Sequence, residues 1–116
     1  MLNALFGRKK SDNWASINPN DLQERLKTDK QLFVLDVRSA QEFEKDGRIV
    51  GAHLIPLPTL AASSSELPKD HTIVCVCRSG GRSRAACDLL AKQGFTQIIN
   101  LDGGMIAWKR AGLPSR

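Results

Sequence analysis

Cys77 is the residue of this sequence whose surroundings most favour nucleophilic chemistry. It follows the apolar stretch 72–76, and two glycines, Gly80 and Gly81, come shortly after it, just before a helical pattern begins. Glycines let successive backbone N–H groups turn toward one point, and the start of a helix adds partial positive charge there. A thiolate is stabilised by such surroundings, so the pKa of the thiol should fall. We therefore predict that Cys77 is a catalytic nucleophile.

The rest of this loop predicts an anion-binding site around the thiol. Two arginines, Arg78 and Arg82, lie close to Cys77 along the chain, and guanidinium groups bind oxyanions well. For Arg82 an alternative stays open, in which its side chain braces the loop instead of contacting a substrate. The predicted substrate-binding and anion-binding residues are Arg78, Ser79, Gly80, Gly81, Arg82 and Ser83.

The other two cysteines are interpreted as buried apolar residues. Three cysteines is an odd number, and Cys75 lies too close to Cys77 along a strand for an unstrained disulfide. Reduced thiols indicate a reducing compartment, so we predict a cytoplasmic protein. Cys75 and Cys87 remain alternatives as resolving thiols if either lies close to Cys77. Because no second cysteine or histidine pair stands at ligand spacing, we predict no metal and no organic cofactor.

The length and net charge of the chain exclude several functional classes. The 116 residues are typical of one domain that folds without disulfides. The formal net charge is +5, but the basic residues form no stripe with interleaved aromatics, which argues against nucleic acid and favours a small anionic substrate. No apolar run reaches the length of a membrane span, so none is predicted. Residues 1–13 are predicted to form a flexible N-terminal tail.

Strand-like and helix-like segments alternate along the rest of the chain. The apolar runs 32–37 and 72–76 are typical of strands buried on both faces. Because strands that alternate with helices pair in parallel, we predict an α/β fold: a single domain over residues 14–116, with a small, mostly parallel sheet and helices on both faces. The other predicted strands are 14–17 and 97–101, with a short apolar piece at 52–55, and the predicted helices are 19–27, 39–47, 59–67, 83–93 and one that ends before Gly112.

Three charged residues around the first buried strand are predicted to support the structure rather than to react. Asp36 interrupts the run 32–37 and must have partners, because an unpaired buried charge is strongly unfavourable. Glu42 completes a capping box with Ser39 and lies one helical turn from Arg38, which it is expected to hold. The predicted structural set is therefore Asp36, Arg38 and Glu42.

Three motifs make the sequence similar to the single-domain rhodanese family, the thiosulfate sulfurtransferases. They span about residues 14–114, and in this order they are far more specific than any one alone. They are Asp36-Val37-Arg38 with Glu42-Phe43, Gly47, Ile49, Gly51-Ala52 and Ile55-Pro56; Cys77-Arg78-Ser79-Gly80-Gly81-Arg82-Ser83; and Leu101-Asp102-Gly103-Gly104 with Ala107-Trp108 and Gly112-Leu113-Pro114. The chain departs from the family at Arg48, Val50 and Leu54, where members often carry His, Pro and Asn, and this alters the loop after the second helix.

The resemblance implies a sulfur transfer in two steps. The Cys77 thiolate would attack the outer sulfur of a donor such as thiosulfate and become a cysteine persulfide. The sulfur would then pass to a thiophilic acceptor, which is cyanide in the usual assay and a thiol in the cell. The implied partners are a small anionic donor, a cyanide or thiol acceptor, and a sulfur-relay protein.

Two other functions stay open at this point. A cysteine phosphatase also holds a thiolate beneath backbone N–H groups, but its signature places one residue more between cysteine and arginine than the four that separate Cys77 from Arg82. A non-turnover persulfide carrier or protein-interaction module would keep the same loop and select its partner through the surrounding surface. Phosphomonoester hydrolysis measured beside thiosulfate turnover distinguishes the first alternative, and a stable persulfide with poor turnover indicates the second.

Overall fold

The computed structural model describes residues 13–116, which form five strands and five helices. The predicted N-terminal tail, apart from Asn13, lies outside these described residues. Within them, no helix combines the length and the apolar character that crossing a membrane requires. In chain order the elements are β1 (Ala15–Ile17), α1 (Pro19–Thr28), β2 (Phe33–Asp36), α2 (Ala40–Lys45), β3 (His53–Leu54), α3 (Leu57–Ser63) with a 3-10 turn (Ser64–Glu66), β4 (Ile73–Val76), α4 (Gly81–Lys92), β5 (Ile98–Leu101) and α5 (Gly104–Arg110).

The five strands form one sheet in the order β1-β5-β4-β2-β3, and every pairing is parallel. β4 occupies the centre, and all four of its residues are buried. Its continuous apolar sequence is the pattern expected of a strand that is covered on both faces. The predicted α/β fold is confirmed, and the sheet is parallel throughout rather than mostly.

Helices cover both faces of the sheet, so that two apolar layers enclose β4. On one face, α3 and α4 pack through Leu60, Ala86 and Leu90 against strand residues that include Cys75. On the other face, α1 and α5 pack through Leu22 and other buried residues against strand residues. The alternating side chains of β4 therefore contact opposite layers, and Cys75 and Cys77 belong to the layer under α4.

Two helices begin earlier in the structure than predicted, and one strand is shorter than predicted. α4 begins at Gly81 instead of Ser83, because Gly80 takes a left-handed conformation with φ of 111° and ends the loop early. α3 begins at Leu57, since a proline is tolerated in a first helical turn. The apolar piece 52–55 forms only the two-residue edge strand β3, and the prolines that follow prevent its extension.

Candidate active site

Cys77 follows the central strand β4 directly and lies at the carboxyl edge of the sheet. Two backbone N–H groups from the start of α5 hold the loop that begins there. Met105 N–H donates to the Cys77 carbonyl oxygen at 2.8 Å, and Ile106 N–H donates to the Arg78 carbonyl oxygen at 3.0 Å. Ligands of parallel sheets bind at this edge, so the structure places the predicted nucleophile where a substrate can be received.

Gly104 makes this close approach of α5 possible. Its φ is +57°, and an added β-carbon would lie 2.4 Å from the Cys77 carbonyl oxygen and 2.6 Å from that of Arg78. Both distances are far inside van der Waals contact, so any larger residue would push the loop of residues 77–80, here called the reactive loop, away from α5. Gly104, from the third motif, therefore allows the Cys77 loop of the second motif to lie directly against α5.

Two backbone N–H groups donate to the sulfur of Cys77, and the hydroxyl of Ser83 lies beside it. The backbone N–H of Gly80 donates to Sγ at 3.1 Å, and that of Ser83 donates at 3.3 Å. Ser83 Oγ lies 3.3 Å from Sγ and donates to the Gly80 carbonyl oxygen at 3.1 Å. A protonated thiol donates to this hydroxyl, whereas a thiolate can accept from it once the hydroxyl proton rotates. The site therefore supports either protonation state, and in the thiolate all of the hydrogen bonds at Sγ are donated to the sulfur.

These hydrogen bonds lower the pKa of the Cys77 thiol. Burial is the largest single influence and acts in the opposite direction, because the residue is only 1 % exposed. The hydroxyl and N–H of Ser83, with the N–H groups of Gly80 and Ser79, together outweigh burial and hold the pKa below the usual value of a thiol. Cys77 is thus buried, yet its sulfur faces groups that stabilise negative charge.

Arg82 forms a bidentate ion pair with Glu42. Its Nη1 and Nη2 donate to Glu42 Oε1 at 2.7 Å and to Oε2 at 2.9 Å. The N–H and hydroxyl of Ser39 hold the same carboxylate, each at 3.1 Å. The hydrogen bonds from Arg82, with those from Ser39, lower the pKa of Glu42 to about 2 against the effect of burial. Because this pair ties α2 to α4, it favours the bracing alternative for Arg82.

The expectation that Glu42 holds Arg38 is wrong. Arg38 bonds Asp36 instead, with Nε 2.9 Å from Oδ1 and Nη2 2.8 Å from Oδ2. Nη2 also donates to the Gly47 carbonyl oxygen at 2.9 Å. Arg38 precedes the cap of α2, so the helical spacing that suggested a Glu42 contact does not apply to it. Asp36 and Arg38 are both almost fully buried and brace the end of β2 as a pair.

Arg78 and Ser79 lie on the outer surface of the loop. Both residues are exposed, and within residues 13–116 neither side chain forms a hydrogen bond or an ion pair. The guanidinium of Arg78 is therefore available to an approaching anion. Gly80 contributes an N–H group to the sulfur, and Gly81 opens α4. The structure thus brings the whole predicted set together, with the guanidinium of Arg82 already engaged.

Cys75 and Cys87 form a second thiol pair one layer below the reactive loop. Cys75 precedes Cys77 by two residues along the strand, and Cys87 follows Ser83 by one helical turn. Both steps are about 6 Å long, so Cys75 and Cys87 lie at a similar depth below the loop. Both residues are fully buried. The hydrogen bond with Cys75, together with burial, raises the pKa of the Cys87 thiol. A thiol that stays protonated is a poor nucleophile, so the resolving alternative receives no support from Cys87.

Asn100 is a buried polar residue that was not expected from the sequence. It lies on β5 directly opposite Cys75 and is fully buried. Within the described part of the chain, neither its amide nitrogen nor its carbonyl oxygen has a hydrogen-bond partner. An amide inside the apolar run 98–101 was the sequence signal that could have identified it.

A parallel sheet that ends in a cysteine loop, with backbone donors directed at the sulfur, defines a class of α/β proteins that react through a thiolate. The family model for the rhodanese-like domain matches residues 18–111. The chain therefore belongs to the rhodanese-like family, and the family predicted from the three motifs is confirmed.

Named relatives and solved structures agree with this family. The chain is 40 % identical over 98 residues to a "Sulfurtransferase" of Allochromatium vinosum, covering 84 % of this chain and 91 % of that protein. It is 36 % identical over 105 residues to the "Putative sulfur carrier protein YrkF" of Bacillus subtilis, covering 88 % of this chain and 56 % of that protein. The crystal structure of a rhodanese-related protein from Thermoplasma volcanium matches with a TM-score of 0.80 at 33 % identity, covering 88 % and 97 % of the two chains.

Proposed function

We propose that this protein is a sulfurtransferase that carries a sulfane sulfur on Cys77 as a persulfide. The donor is thiosulfate or a related persulfide donor, and the acceptor is cyanide or a thiol. The observation that carries the proposal is the pair of backbone N–H groups, from Gly80 and Ser83, that donate to Cys77 Sγ. Membership of the rhodanese-like family and a relative named as a sulfurtransferase support it.

The first step loads the cysteine. The Cys77 thiolate attacks the outer sulfur of thiosulfate, a sulfur–sulfur bond forms at Sγ, and the bond between the two donor sulfurs breaks. Sulfite leaves with the electron pair of that bond, so the negative charge moves to the terminal persulfide sulfur. The lowered pKa of Cys77 increases the fraction of thiolate, which reacts without a separate base to remove its proton.

The second step empties the site. Cyanide or a thiolate attacks the terminal sulfur, its bond to Cys77 Sγ breaks, and the cysteine leaves as a thiolate. Thiocyanate or a new persulfide is released, and the sulfane sulfur changes carrier without net oxidation. The same N–H groups that stabilise the starting thiolate also stabilise this leaving group.

Arg78 is the residue proposed to receive the donor anion. Its side chain is exposed beside Cys77 and has no partner within residues 13–116, whereas Arg82 is held by Glu42. The engaged state of Arg82 also weakens the phosphatase alternative, because that chemistry requires an arginine that is free to bind the phosphoryl oxygens. The three free thiols support a reducing compartment such as the cytoplasm.

A persulfide carrier is the second candidate function. The relative named as a sulfur carrier protein favours it, and the chain spans 56 % of that longer protein. In that case a sulfur-relay protein, rather than a small molecule, would be the acceptor. Poor turnover with cyanide together with a stable persulfide on Cys77 would select the carrier over the enzyme.

Mass spectrometry of the intact protein tests the proposal. After treatment with thiosulfate and removal of excess donor, the wild type should gain the mass of one sulfur atom and release one equivalent of sulfite. Cys77→Ser should gain nothing and turn over no thiosulfate, with folding checked by circular dichroism. Cys87→Ala is the matched control and should load normally, because its thiol lies outside the reactive loop. Sulfur loading of Cys77→Ser, or none on the wild type, overturns the proposal.

A further inference from the structure

A cleft of about 450 Å³ adjoins the reactive loop between α2 and α5. The loop contributes Arg78 to its wall, the end of α2 contributes Lys45 and Asp46, and α5 contributes Lys109. None of these residues except Arg78 was singled out in the sequence, because they come from three separate segments. The cleft lies beside the sulfur-bearing loop without containing Cys77 among its lining residues.

Cations dominate the charges of this cleft. Lys45, Arg78 and Lys109 stand against the single carboxylate of Asp46, while the guanidinium of Arg38 is neutralised by its buried partner. Lys45 and Arg78 are exposed and form no ion pair within residues 13–116. Unpaired cations around a concave surface raise the local concentration of anions.

The floor and one wall of the cleft are held firmly to the reactive loop. The backbone N–H groups of Met105 and Ile106, which line the floor, donate to the carbonyl oxygens of the loop. Lys109 Nζ donates to the Asp46 carbonyl oxygen, so the side chain of Lys109 reaches from α5 to the end of α2. The cleft and the loop that carries Cys77 are therefore joined through the backbone of Met105 and Ile106.

Two other depressions on the molecule lack this combination. One is lined by Lys92 and Asp88 with two further residues, and the other is an apolar groove that carries Lys27 as its cation. Neither includes a residue of the reactive loop. The cationic cleft beside Arg78 is therefore the better placed to act in the reaction.

We propose that this cleft is a subsite for the carboxylate groups of an anionic thiol acceptor, an inference that rests on the proposed function. The apolar side chains of Met105 and Ile106 suit a carbon skeleton, and the cations around them suit carboxylates. Thiosulfate has no carbon skeleton and needs far less room, so the cleft fits the acceptor better than the donor. The acceptor thiolate attacks the terminal persulfide sulfur, a bond to that sulfur forms, and its bond to Cys77 breaks to leave the cysteine thiolate.

Single-turnover kinetics test the subsite apart from the loading step. Protein preloaded with thiosulfate and freed of donor is mixed with mercaptosuccinate, a dicarboxylate thiol, or with thioglycerol, a neutral thiol. The second-order rate constant for loss of the persulfide is measured for each, and their ratio is the preference for the anionic acceptor. Comparing this ratio between variants cancels the intrinsic reactivities of the two thiols.

The variants should move the preference in opposite directions. Lys45→Glu should lower it by about fivefold and Asp46→Asn should raise it by about twofold, and both effects should shrink in high salt. Lys30→Glu is the matched control: it changes the net charge equally, from the turn before β2 at the opposite edge of the sheet, and should leave the ratio within about 1.5-fold of wild type.

The outcomes separate the two proposals. Normal loading with an unchanged ratio in Lys45→Glu, or equal changes in Lys45→Glu and Lys30→Glu, overturns the subsite and leaves the sulfurtransferase standing. Absence of any loading on the wild type overturns both. A lower ratio in Lys45→Glu with a higher one in Asp46→Asn supports the subsite.

Discussion

The two cysteine environments of this protein share their burial and differ in their chemistry. Cys77 is 1 % exposed, and Cys75 and Cys87 are not exposed at all. Hydrogen bonds outweigh burial to lower the pKa of Cys77, whereas the Cys75 thiol and burial both raise the pKa of Cys87. Depth in the core therefore does not decide whether the pKa of a thiol is raised or lowered here. The direction of the nearby donors does.

Backbone geometry explains why only Cys77 receives such donors. Inside β4 the N–H groups are used by the pairing with β2 and β5, so none is left for the side chain of Cys75. The first N–H groups of a helix have no partner within the helix, and Ser83 lies in the first turn of α4. Cys77 lies between the end of β4 and the start of α4. The position of Cys77 between these two elements therefore lowers the pKa of its thiol.

Alkylation rates test the difference between Cys77 and Cys87 most directly. At pH 7, iodoacetamide should modify Cys77 at least about 100-fold faster than Cys87, because only the thiolate reacts and Cys87 stays protonated. Timed quenching followed by peptide mass spectrometry gives both rates in one sample. Similar rates for the two residues would show that burial alone governs their reactivity.

Removing the Ser83 hydroxyl tests which groups lower the pKa of Cys77. Ser83→Ala should raise the pKa of Cys77, because the thiolate loses the hydroxyl that stabilises it. The alkylation rate of Cys77 should then fall by up to about tenfold near neutral pH and converge with wild type at high pH. The pH profile of alkylation measures this shift.

Ser79→Ala is the matched control for that change. It keeps its backbone N–H, and its side chain makes no hydrogen bond within residues 13–116, so its pH profile should match wild type. If both serine variants shift the profile equally, the shift does not come from the Ser83 hydroxyl.

Loss of the Glu42–Arg82 ion pair, which joins α2 to α4, should have the smallest effect of these changes. Glu42→Gln should lower the free energy of unfolding by about 1 kcal/mol at pH 7, because a partly exposed bidentate pair is lost. The pKa of Glu42 is lowered from 4.5 to about 2 in the folded protein, so its contribution is present above pH 4.5 and is lost as the pH falls toward 2. Urea unfolding at pH 7 and pH 3 should show the gap between wild type and variant shrinking.

Glu44→Gln serves as the control for this brace. Glu44 lies on the same helix, is exposed and forms no ion pair in the described part of the chain. Its replacement should leave the free energy of unfolding nearly unchanged at both pH values. Equal losses in the two glutamate variants would mean that the contact with Arg82 does not stabilise the fold.

The reactive loop could be predicted from the sequence because its parts are contiguous. The run before Cys77, the glycines after it and the start of α4 all lie within a few residues, and local backbone preferences govern that distance. The partner of Glu42 could not be predicted, since Arg82 is 40 residues away and meets it only after the chain crosses the sheet. The cleft beside Arg78 escaped prediction for the same reason.

Periodicity and turn residues were enough to predict the alternating α/β order and to place Cys77 in the loop after a buried strand. Both depend on preferences that act within a helix or strand and at its ends. The tertiary structure alone decided that Arg82 braces the loop, that Asn100 is buried opposite Cys75, and that cations from α2 and α5 gather beside Arg78. Those contacts join distant segments, and their geometry is set by how the helices pack on the sheet rather than by any local pattern.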